Sequence, residues 1–477
     1  MLYNSFNFGL FLPIVLVLYW LIGYQKIKLQ NLLLLVASYF FYGLWDWRFL
    51  ILILISSLID YYSGIEIEKS NSKNRKKFFL FFSIFWNLGI LFTFKYFNFF
   101  IHELSSLLGN SNSDFAYNSL NIILPVGLSF YTFQTLSYTL DVYKGKTKPT
   151  YNLLIFLCFV SFFPQLVAGP IERASNLLPQ FKVKRELDIS KFKDGLRQIL
   201  WGLFKKMVVA DNVALAVNAI YASPEDQGSL SLFYASALFF FQIYCDFSGY
   251  SDIAIGSAKL FGFKLSKNFN VPYLSRSVSE FWQRWHITLT KWFTDYVYGP
   301  IIKNNKRNSF YKSLALVVSM ALIGLWHGAN WTFIVFGLFQ AIVIFMERIP
   351  ITIKGRKLSV NYYLNRMPLF FAAIYSFIII TISCIFFRSE SLETSFYIIK
   401  KIVSFVPSDG FSLIIGFKII VIPLLIALEL FTRFKNHPFE DIETKINKPF
   451  RWVIYYIFIL IIIRYAGPAE QFIYFQF

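Results

Sequence analysis

The chain has 477 residues, of which 56% are hydrophobic, 21% aromatic and only 15% charged. A soluble protein of this size would leave much of that apolar surface in water, so the composition argues against a soluble enzyme and indicates a protein surrounded by lipid. Lys and Arg outnumber Asp and Glu 46 to 27. The excess lies in short loops and not in a soluble domain, which argues against a nucleic-acid partner.

Apolar runs recur along the whole chain. They are Phe8–Gly23, Leu32–Leu44, Phe49–Leu58, Phe78–Phe100, Ile122–Leu140, Leu153–Val167, Leu230–Phe240, Leu314–Trp326, Trp331–Phe345, Leu369–Phe386, Leu413–Phe431 and Ile454–Tyr465. The runs are continuous, which favours helices over the alternating strands of a β-barrel. We predict an all-α, polytopic integral membrane protein with roughly 11–13 embedded helices, some broken or re-entrant, around a central tunnel.

No segment between the runs is large enough to fold alone outside the membrane. We therefore expect residues 1–477 to form a single membrane domain. The three cysteines are isolated in apolar surroundings, and their spacing predicts neither a disulfide framework nor a metal site. They are Cys158, Cys245 and Cys384.

Basic residues cluster between the apolar runs, in stretches that begin at Lys69, Phe181, Lys303 and Lys354. The positive-inside rule predicts that these loops lie in the cytoplasm. A second interpretation, compatible with the first, is a basic entrance that attracts an anionic substrate such as the phosphates of coenzyme A.

The stretch "LIGLWHGANW" places His327 between two apolar runs. Together these runs are longer than one span at about 1.5 Å per residue, so "HGAN" is predicted to break or bend the helix. Gly324 and Gly328 form a G-x-x-x-G spacing that allows another helix to approach closely. The imidazole either points into a water-accessible cavity or hydrogen-bonds a neighbouring helix, and both interpretations stay open.

A second histidine lies in "SEFWQRWHITLTKWFTDYVYGP", residues 279–300. If this stretch is one helix, its aromatic side chains fill one arc, and Glu280 and Arg284 lie on a neighbouring arc. Such a helix is expected to lie in the headgroup region of the membrane. His286 is then either an interfacial polar residue or a group at an aqueous entrance, and this stretch alone favours the former.

Two carboxylates, Asp246 and Asp252, interrupt an apolar region rich in small residues. A carboxylate in a low dielectric needs a partner. Each carboxylate has two possible partners. It pairs with a histidine, which would fix the imidazole tautomer, or it binds a backbone amide at a broken helix. We expect a structural pairing rather than direct catalysis.

Two further stretches mix polar or helix-breaking residues into apolar runs. "LPVGLSFYTFQTLSYTLDVYKG" contains Ser129, Thr132 and Gln134, and "FFPQLVAGPIER" contains Pro164 and Pro170. Either stretch lines a tunnel, or its side chains join helices by hydrogen bonds.

Taken together, these stretches resemble the membrane-bound O-acyltransferase family, most closely its bacterial branch of alginate O-acetylation proteins. The branch has a "FW.RWHISLS.W..DY" segment followed by "LWHG..W", which correspond to Phe281–Tyr296 and Leu325–Trp331. "NFNVPYLSRSVSEFW", "QIYCDFSGYSDIAIG" and the terminal "FIYFQF" also resemble it. Departures are mild: Gln283 stands where a basic residue is common, and Thr288 and Thr290 replace serines.

The resemblance implies that an acyl group passes from a cytoplasmic thioester, with acetyl-CoA or an acyl carrier as donor, to hydroxyls of a cell-surface polysaccharide. It implies no bound cofactor, a multi-pass location in the bacterial cytoplasmic (inner) membrane, and a separate extracytoplasmic partner of the Ser-Asp-His type. His327 matches the active-site histidine of the family, and His286 matches a second position that is usually Asn or His.

The chemistry that fits these residues is general base catalysis. Imidazole titrates near neutral pH, so His327 is the candidate base that takes the proton of the attacking hydroxyl, and His286 is the candidate polariser or positioner. A covalent acyl-histidine relay stays open. Neighbouring side chains are the candidates for substrate binding, namely Trp326, Asn330, Asp246, Trp285 and Arg284.

Three alternatives accompany this interpretation. The first is a transporter or flippase for a lipid-linked saccharide, which is disfavoured because no internal repeat is present and intramembrane charges are few. A structural scaffold of a polysaccharide-secretion complex is the second alternative. Within the enzyme class, the third is transfer of D-alanine to teichoic acids.

Overall fold

The computed structural model describes residues 1–23, 25–107, 123–353, 356–407, 417–468 and 470–475. Within these residues, regular structure is almost entirely helical, and the single hairpin pairs β1 (Pro350–Ile353) with β2 (Arg356–Ser359) in antiparallel register. Lys354 of the fourth basic stretch and the first residues of the run Leu413–Phe431 lie outside the described residues.

Backbone contacts divide the chain into two compact units, residues 1–199 with 253–266 and residues 200–252 with 267–477. The first unit contains α1 Phe6–Leu21, α2 Ile27–Asp46, α3 Leu50–Lys69, α4 Lys73–Leu91, α5 Phe97–Leu107, α6 Leu128–Tyr143, α7 Leu153–Ser161, α8 Phe163–Leu166, α9 Ala174–Leu177 and most of α10 Ile189–Leu203. The prediction of a single domain over residues 1–477 remains a prediction.

The second unit contains the candidate site. Its helices are α11 Asp211–Tyr221, α12 Ser229–Leu260 as far as Asp252, α13 Val278–Arg284, α14 Ile287–Phe293, α15 Gly299–Ile302, α16 Ser309–His327, α17 Trp331–Arg348, α18 Val360–Arg366, α19 Leu369–Arg388, α20 Leu392–Val403, α21 Phe417–Phe431, α22 Ile442–Lys445 and α23 Lys448–Tyr465. Wider π-helical turns over residues 204–210 and 294–298 extend α10 and α14.

Six helical stretches of the described chain are long and apolar enough to cross a membrane. They are Ile27–Lys69, Lys73–Leu107, Ser229–Leu260, Ser309–His327, Trp331–Arg348 and Leu369–Arg388, and two shorter apolar helices are Phe6–Leu21 and Val421–Phe431. The all-α, polytopic class is therefore confirmed. The total of 11–13 embedded helices and the central tunnel remain predictions.

The break predicted at "HGAN" is confirmed, because α16 ends at His327 and α17 begins at Trp331. The two helices pack against each other at very short range. A Cβ atom at Gly324 would overlap the backbone of Phe333, and one at Gly337 would overlap the backbone of Met320. These glycines let the hairpin close tightly, which fixes the position of His327 at its turn.

The prediction of one continuous helix over residues 279–300 is wrong, because the chain breaks between α13 and α14. His286 has φ 40° and ψ 54°, in the left-handed region that interrupts a right-handed helix. The break is fixed from outside the stretch: the N–H of Ile287 donates to the backbone carbonyl of Asn268 at 2.9 Å. The arcs calculated for a single helix therefore do not describe this segment.

Candidate active site

His327 is the last residue of α16, and its side chain is 1% exposed. Aromatic rings surround it. The centroid of its imidazole lies 5.0 Å from the rings of Trp326 and Phe387, 5.5 Å from that of Tyr474 and 5.9 Å from that of Phe336. The helix end and the packed rings together leave the imidazole little freedom to reorient.

His286 is completely buried in the break between α13 and α14. Its Nδ1 lies 3.2 Å from Oδ1 of Asn268, and the same oxygen accepts hydrogen bonds from the backbone N–H and hydroxyl of Thr288. Because the amide oxygen is an acceptor, Nδ1 carries the proton in this arrangement. This tautomer presents Nε2 as an acceptor.

The surroundings of His286 keep its ring neutral. Burial lowers the pKa of His286 to about 3, because the charged imidazolium loses its hydration. The ring of Phe247 packs edge-on against the imidazole at a centroid distance of 4.7 Å. A ring of this kind accepts a hydrogen bond at neutral pH but is a weak base.

One indole joins the two histidines. The ring of Trp326 lies 5.4 Å from that of His286 and 5.0 Å from that of His327, and the indole is 3% exposed. The structure therefore brings together three residues that the sequence analysis selected from two stretches about 40 residues apart in the sequence.

An apolar cavity of about 20 Å³ adjoins His327. The imidazole and the indole of the predicted site residue Trp285 both line this cavity. This indole is 5% exposed and stacks on Phe281 at 5.5 Å with an angle of 17° between the rings. The other lining residues are Phe239, Phe240, Ile243, Phe281, Phe336, Ile380, Cys384 and Phe387.

Arg284 and Asn330 are engaged in local structure. Arg284 forms an ion pair with Glu280 at 2.7 Å and donates from Nη1 to the backbone carbonyl of Asn270. Asn330 caps α17 by accepting the N–H of Thr332, and its amide nitrogen donates to the backbone carbonyl of Glu390. A substrate contact for either residue remains a prediction.

Asp246 pairs with a lysine and with the backbone, and among the described contacts neither histidine is its partner. Its carboxylate lies 2.8 Å from Nζ of Lys206 and accepts the N–H of Ile473 at 2.7 Å. The suggestion that it pairs with a histidine is therefore wrong, whereas the expected structural pairing and backbone amide are both present.

Lys206 is a central residue that the sequence analysis missed. It is 1% exposed, and its ammonium contacts Asp246, Asp211 at 2.7 Å and the backbone carbonyl of Glu470 at 3.0 Å. Burial acts to lower the pKa of Lys206, but the two carboxylates outweigh it and raise the pKa above its usual value. The charge is therefore retained and compensated.

A second buried pair lies beside the first, because the π-helical turn holds Lys205 as well as Lys206 in the interior. Nζ of Lys205 lies 2.6 Å from Asp252 and donates to the hydroxyl of Ser248 at 2.9 Å. Two consecutive lysines within the apolar stretch "WGLFKKMVVA" were the available signal, since charges in such a stretch are costly unless paired.

The Lys206 cluster holds the C-terminal segment against the site. Asp246 binds the backbone of Ile473, and the next residue, Tyr474, places its ring 5.5 Å from His327 and 5.8 Å from Trp326. The sequence analysis noted "FIYFQF" only as part of a resemblance. Tyr474 is therefore an additional wall of the candidate site.

Glu347 fixes the start of α13 and was also missed. This fully buried carboxylate accepts hydrogen bonds from the backbone N–H groups of Val278 and Ser279, at 2.7 and 3.0 Å. A carboxylate at a helix N-terminus satisfies donors that have no partner within the helix. Since α13 leads directly into Trp285 and His286, the contact positions both.

In the first unit, the polar stretches predicted to line a tunnel or join helices do the latter where they are described. The amide of Gln165 donates to Gln134, and both amides donate to the backbone carbonyl of Phe159. These bonds connect α6, α7 and α8.

Comparison with known proteins gives consistent matches. The model of MBOAT, the membrane-bound O-acyltransferase family, matches residues 32–389. The chain is 36% identical over 404 residues to the probable alginate O-acetylase AlgI of Pseudomonas aeruginosa, covering 84% of this chain and 74% of that protein. It is 34% identical to the peptidoglycan O-acetyltransferase of Helicobacter pylori, covering 82% and 78%. The teichoic acid D-alanyltransferase of Streptococcus thermophilus is 29% identical, covering 46% and 55%.

Proposed function

The chain belongs to the membrane-bound O-acyltransferase family, and on that premise we propose that it moves an acetyl group from acetyl-CoA on the cytoplasmic side toward hydroxyls of a cell-surface polysaccharide. Its class is thus that of an O-acyltransferase in a multi-pass membrane protein, and a transporter or scaffold is no longer needed to explain the buried histidines. The cytoplasmic membrane location belongs to the proposal.

The observation that carries the proposal is the contact of two buried imidazoles with one indole. His286 and His327 come from different helical segments, and both pack on Trp326. Two imidazoles held together inside an apolar interior are costly to place there without a function. The arrangement supports proton transfer in a site shielded from bulk water.

In the proposed reaction, His327 is the general base. As the acceptor oxygen bonds to the thioester carbonyl carbon, its proton moves to the imidazole of His327; the C–S bond then breaks, and the departing thiolate takes that proton. Such a positioned base contributes about 10²–10⁴ in rate. The aromatic cage holds the imidazole in place for both transfers.

His286 has a different part in the proposal, as a positioning residue. Its pKa of about 3 leaves it neutral at physiological pH, and its bond to Asn268 orients the ring so that Nε2 is an acceptor. A neutral acceptor at this place can orient a hydroxyl without removing its proton. Because Trp326 packs against both imidazoles, the position of the His286 ring constrains that of the His327 ring.

The cavity beside His327 supports an acetyl group over a D-alanyl group. A D-alanyl group carries an ammonium, which needs an anionic or hydrogen-bonding partner when it is buried. The lining contains no acidic side chain among the described residues, and apart from His327 it is apolar. The shorter match to a teichoic acid D-alanyltransferase points the same way.

The acceptor is proposed from the relatives, whose names specify alginate and peptidoglycan. Both are polysaccharides outside the cytoplasm, so a polymer of that location fits this chain as well. We include in the proposal a separate extracytoplasmic partner of the Ser-Asp-His type that completes the transfer.

Transfer of labelled acetyl from acetyl-CoA to surface polymer, in cells that carry His327→Gln, tests the proposed function. The variant is expected to lose about 10²–10⁴ of the rate at unchanged protein abundance. His437→Gln, which alters another buried histidine of the second unit, is the matched control and should keep transfer. Full transfer by His327→Gln would contradict the proposal.

A further inference from the structure

The apolar cavity beside His327 is very small. Its volume of about 20 Å³ is little more than the roughly 10–15 Å³ that one water molecule requires on this scale. Aromatic rings enclose it on several sides, contributed by α12, α13 and α17. A group that enters this cavity from the imidazole side therefore finds space for about one methyl group.

One helix supplies the wall that runs away from the imidazole. Ile380, Cys384 and Phe387 of α19 line the cavity, and their spacing of four and three residues puts them on one face of the helix. Phe387 is the residue that contacts the ring of His327. At about 1.5 Å per residue, Ile380 lies about 10 Å farther along the helix axis, at the far end of this wall.

We propose that Ile380 and Cys384 restrict the acyl group to two carbons, because they close the cavity that receives its methyl end. This inference rests on the proposed function, since it places the thioester carbonyl at His327. It adds the determinants of acyl length, which are buried aliphatic and thiol side chains at 4% and 5% exposure.

The physical basis is close packing. Protein interiors have few voids, so one further methylene must displace side chains that are already in contact. One methylene in a hydrophobic pocket changes selectivity by about tenfold to 200-fold. We therefore expect a propionyl group to transfer at least about tenfold more slowly than acetyl, and a butyryl group more slowly again.

The test compares acetyl-, propionyl- and butyryl-CoA as donors for membranes that contain the full chain. Ile380→Ala should raise the ratio of propionyl to acetyl transfer by about tenfold or more. Ile380→Val removes a single methylene and serves if the Ala variant accumulates poorly; it should raise the ratio by a smaller factor. Cys384→Leu adds side-chain volume to the cavity and should lower transfer of all three acyl groups, including acetyl.

Ile385→Ala is the matched control. Ile385 is equally apolar, 1% exposed and on the same helix, but it packs in a separate cluster with Ile220, Leu232 and Ile398 and does not line the cavity. Its replacement should leave the ratio of propionyl to acetyl transfer unchanged. A general loosening of α19 would instead change the ratio in both Ile380→Ala and Ile385→Ala, which would contradict the inference.

The outcomes separate this inference from the function on which it rests. If transfer depends on His327 but wild-type protein uses butyryl- and acetyl-CoA equally well, the length restriction is wrong and the proposed function stands. If transfer from all three donors survives in His327→Gln, the proposed function is wrong and the inference falls with it.

Discussion

Two regions of the second unit bury polar side chains among different neighbours. Around His286 and His327 the neighbours are mainly aromatic rings, whereas Lys205 and Lys206 contact carboxylates, a hydroxyl and a backbone carbonyl. In the first region burial keeps the ring of His286 neutral, and a small cavity adjoins His327. In the second, opposite charges compensate each other and hold segments together.

The difference separates reactive from supporting polar groups. A catalytic group has to keep some capacity for a substrate, whereas a structural group is best when every donor and acceptor is used. Lys206 contacts two carboxylates and a carbonyl, which matches the three donors of an ammonium group. We therefore expect changes in the charged region to reduce stability first and changes in the aromatic region to reduce catalysis first.

The largest expected effect on stability is that of Lys206→Met. Removal of the cation leaves Asp246 and Asp211 buried together without it, which should lower the free energy of unfolding by about 3–5 kcal/mol. Thermal or denaturant unfolding of the purified protein in detergent measures the change. Lys291→Met removes an exposed lysine from α14 and is the control, with an expected change near zero. Equal unfolding of the two variants would contradict the structural role of the cluster.

A smaller expected effect, this time on catalysis, is that of His286→Ala. Loss of a positioning group should lower kcat/KM by about 10²-fold, measured per folded protein because alanine at φ 40° also costs stability. Because the pKa of His286 lies at about 3, the ring is neutral above that pH and does not titrate between about pH 5 and 8. The pH dependence of kcat/KM should therefore keep the same apparent pKa in the variant.

The matched variant for this position is His286→Asn, whose amide retains hydrogen-bonding capacity and should recover part of the lost activity. A pH–rate profile that loses its ionisation in His286→Ala would instead identify His286 as the titrating base. That outcome would reverse the proposed roles of the two histidines.

The smallest expected effect is that of Arg284→Ala. Its ion pair with Glu280 is partly exposed, with side-chain exposures of 29% and 23%, and such pairs contribute about 0.2–1 kcal/mol. The KM for acetyl-CoA should not change, because the guanidinium is engaged by Glu280 and the carbonyl of Asn270. A tenfold rise in KM would place Arg284 in the substrate site and would contradict its assignment as a structural residue.

The sequence predicts what depends on local composition. Continuous apolar runs are enough to predict the all-α membrane class. The turn between α16 and α17 is predicted by its glycines and by two runs that together exceed one membrane span. Gly324 signals a close approach because any side chain there would overlap the facing helix. His327 could also be identified from local sequence, because it is a polar residue at a predicted break in a span.

The remaining features depend on partners distant in sequence. No glycine or proline marks the break at His286; it is held by Asn268, 18 residues earlier. The carboxylate of Asp246 could be predicted to need a partner, but Lys206 and the backbone of Ile473 are joined to it only by the fold. Tyr474 reaches His327 through that same anchoring.

The left-handed backbone at position 286 also limits which residues evolution or a designer can place there. Most side chains meet steric resistance at φ 40°, whereas Asn, Asp and His occur in this region several times more often than other residues, and glycine enters it without strain. In a saturation library at this codon, a functional residue should therefore meet two requirements. It has to adopt the left-handed conformation, and its side chain has to supply a hydrogen-bonding group. Asn meets both requirements, which gives a conformational reason for choosing His286→Asn as the matched variant.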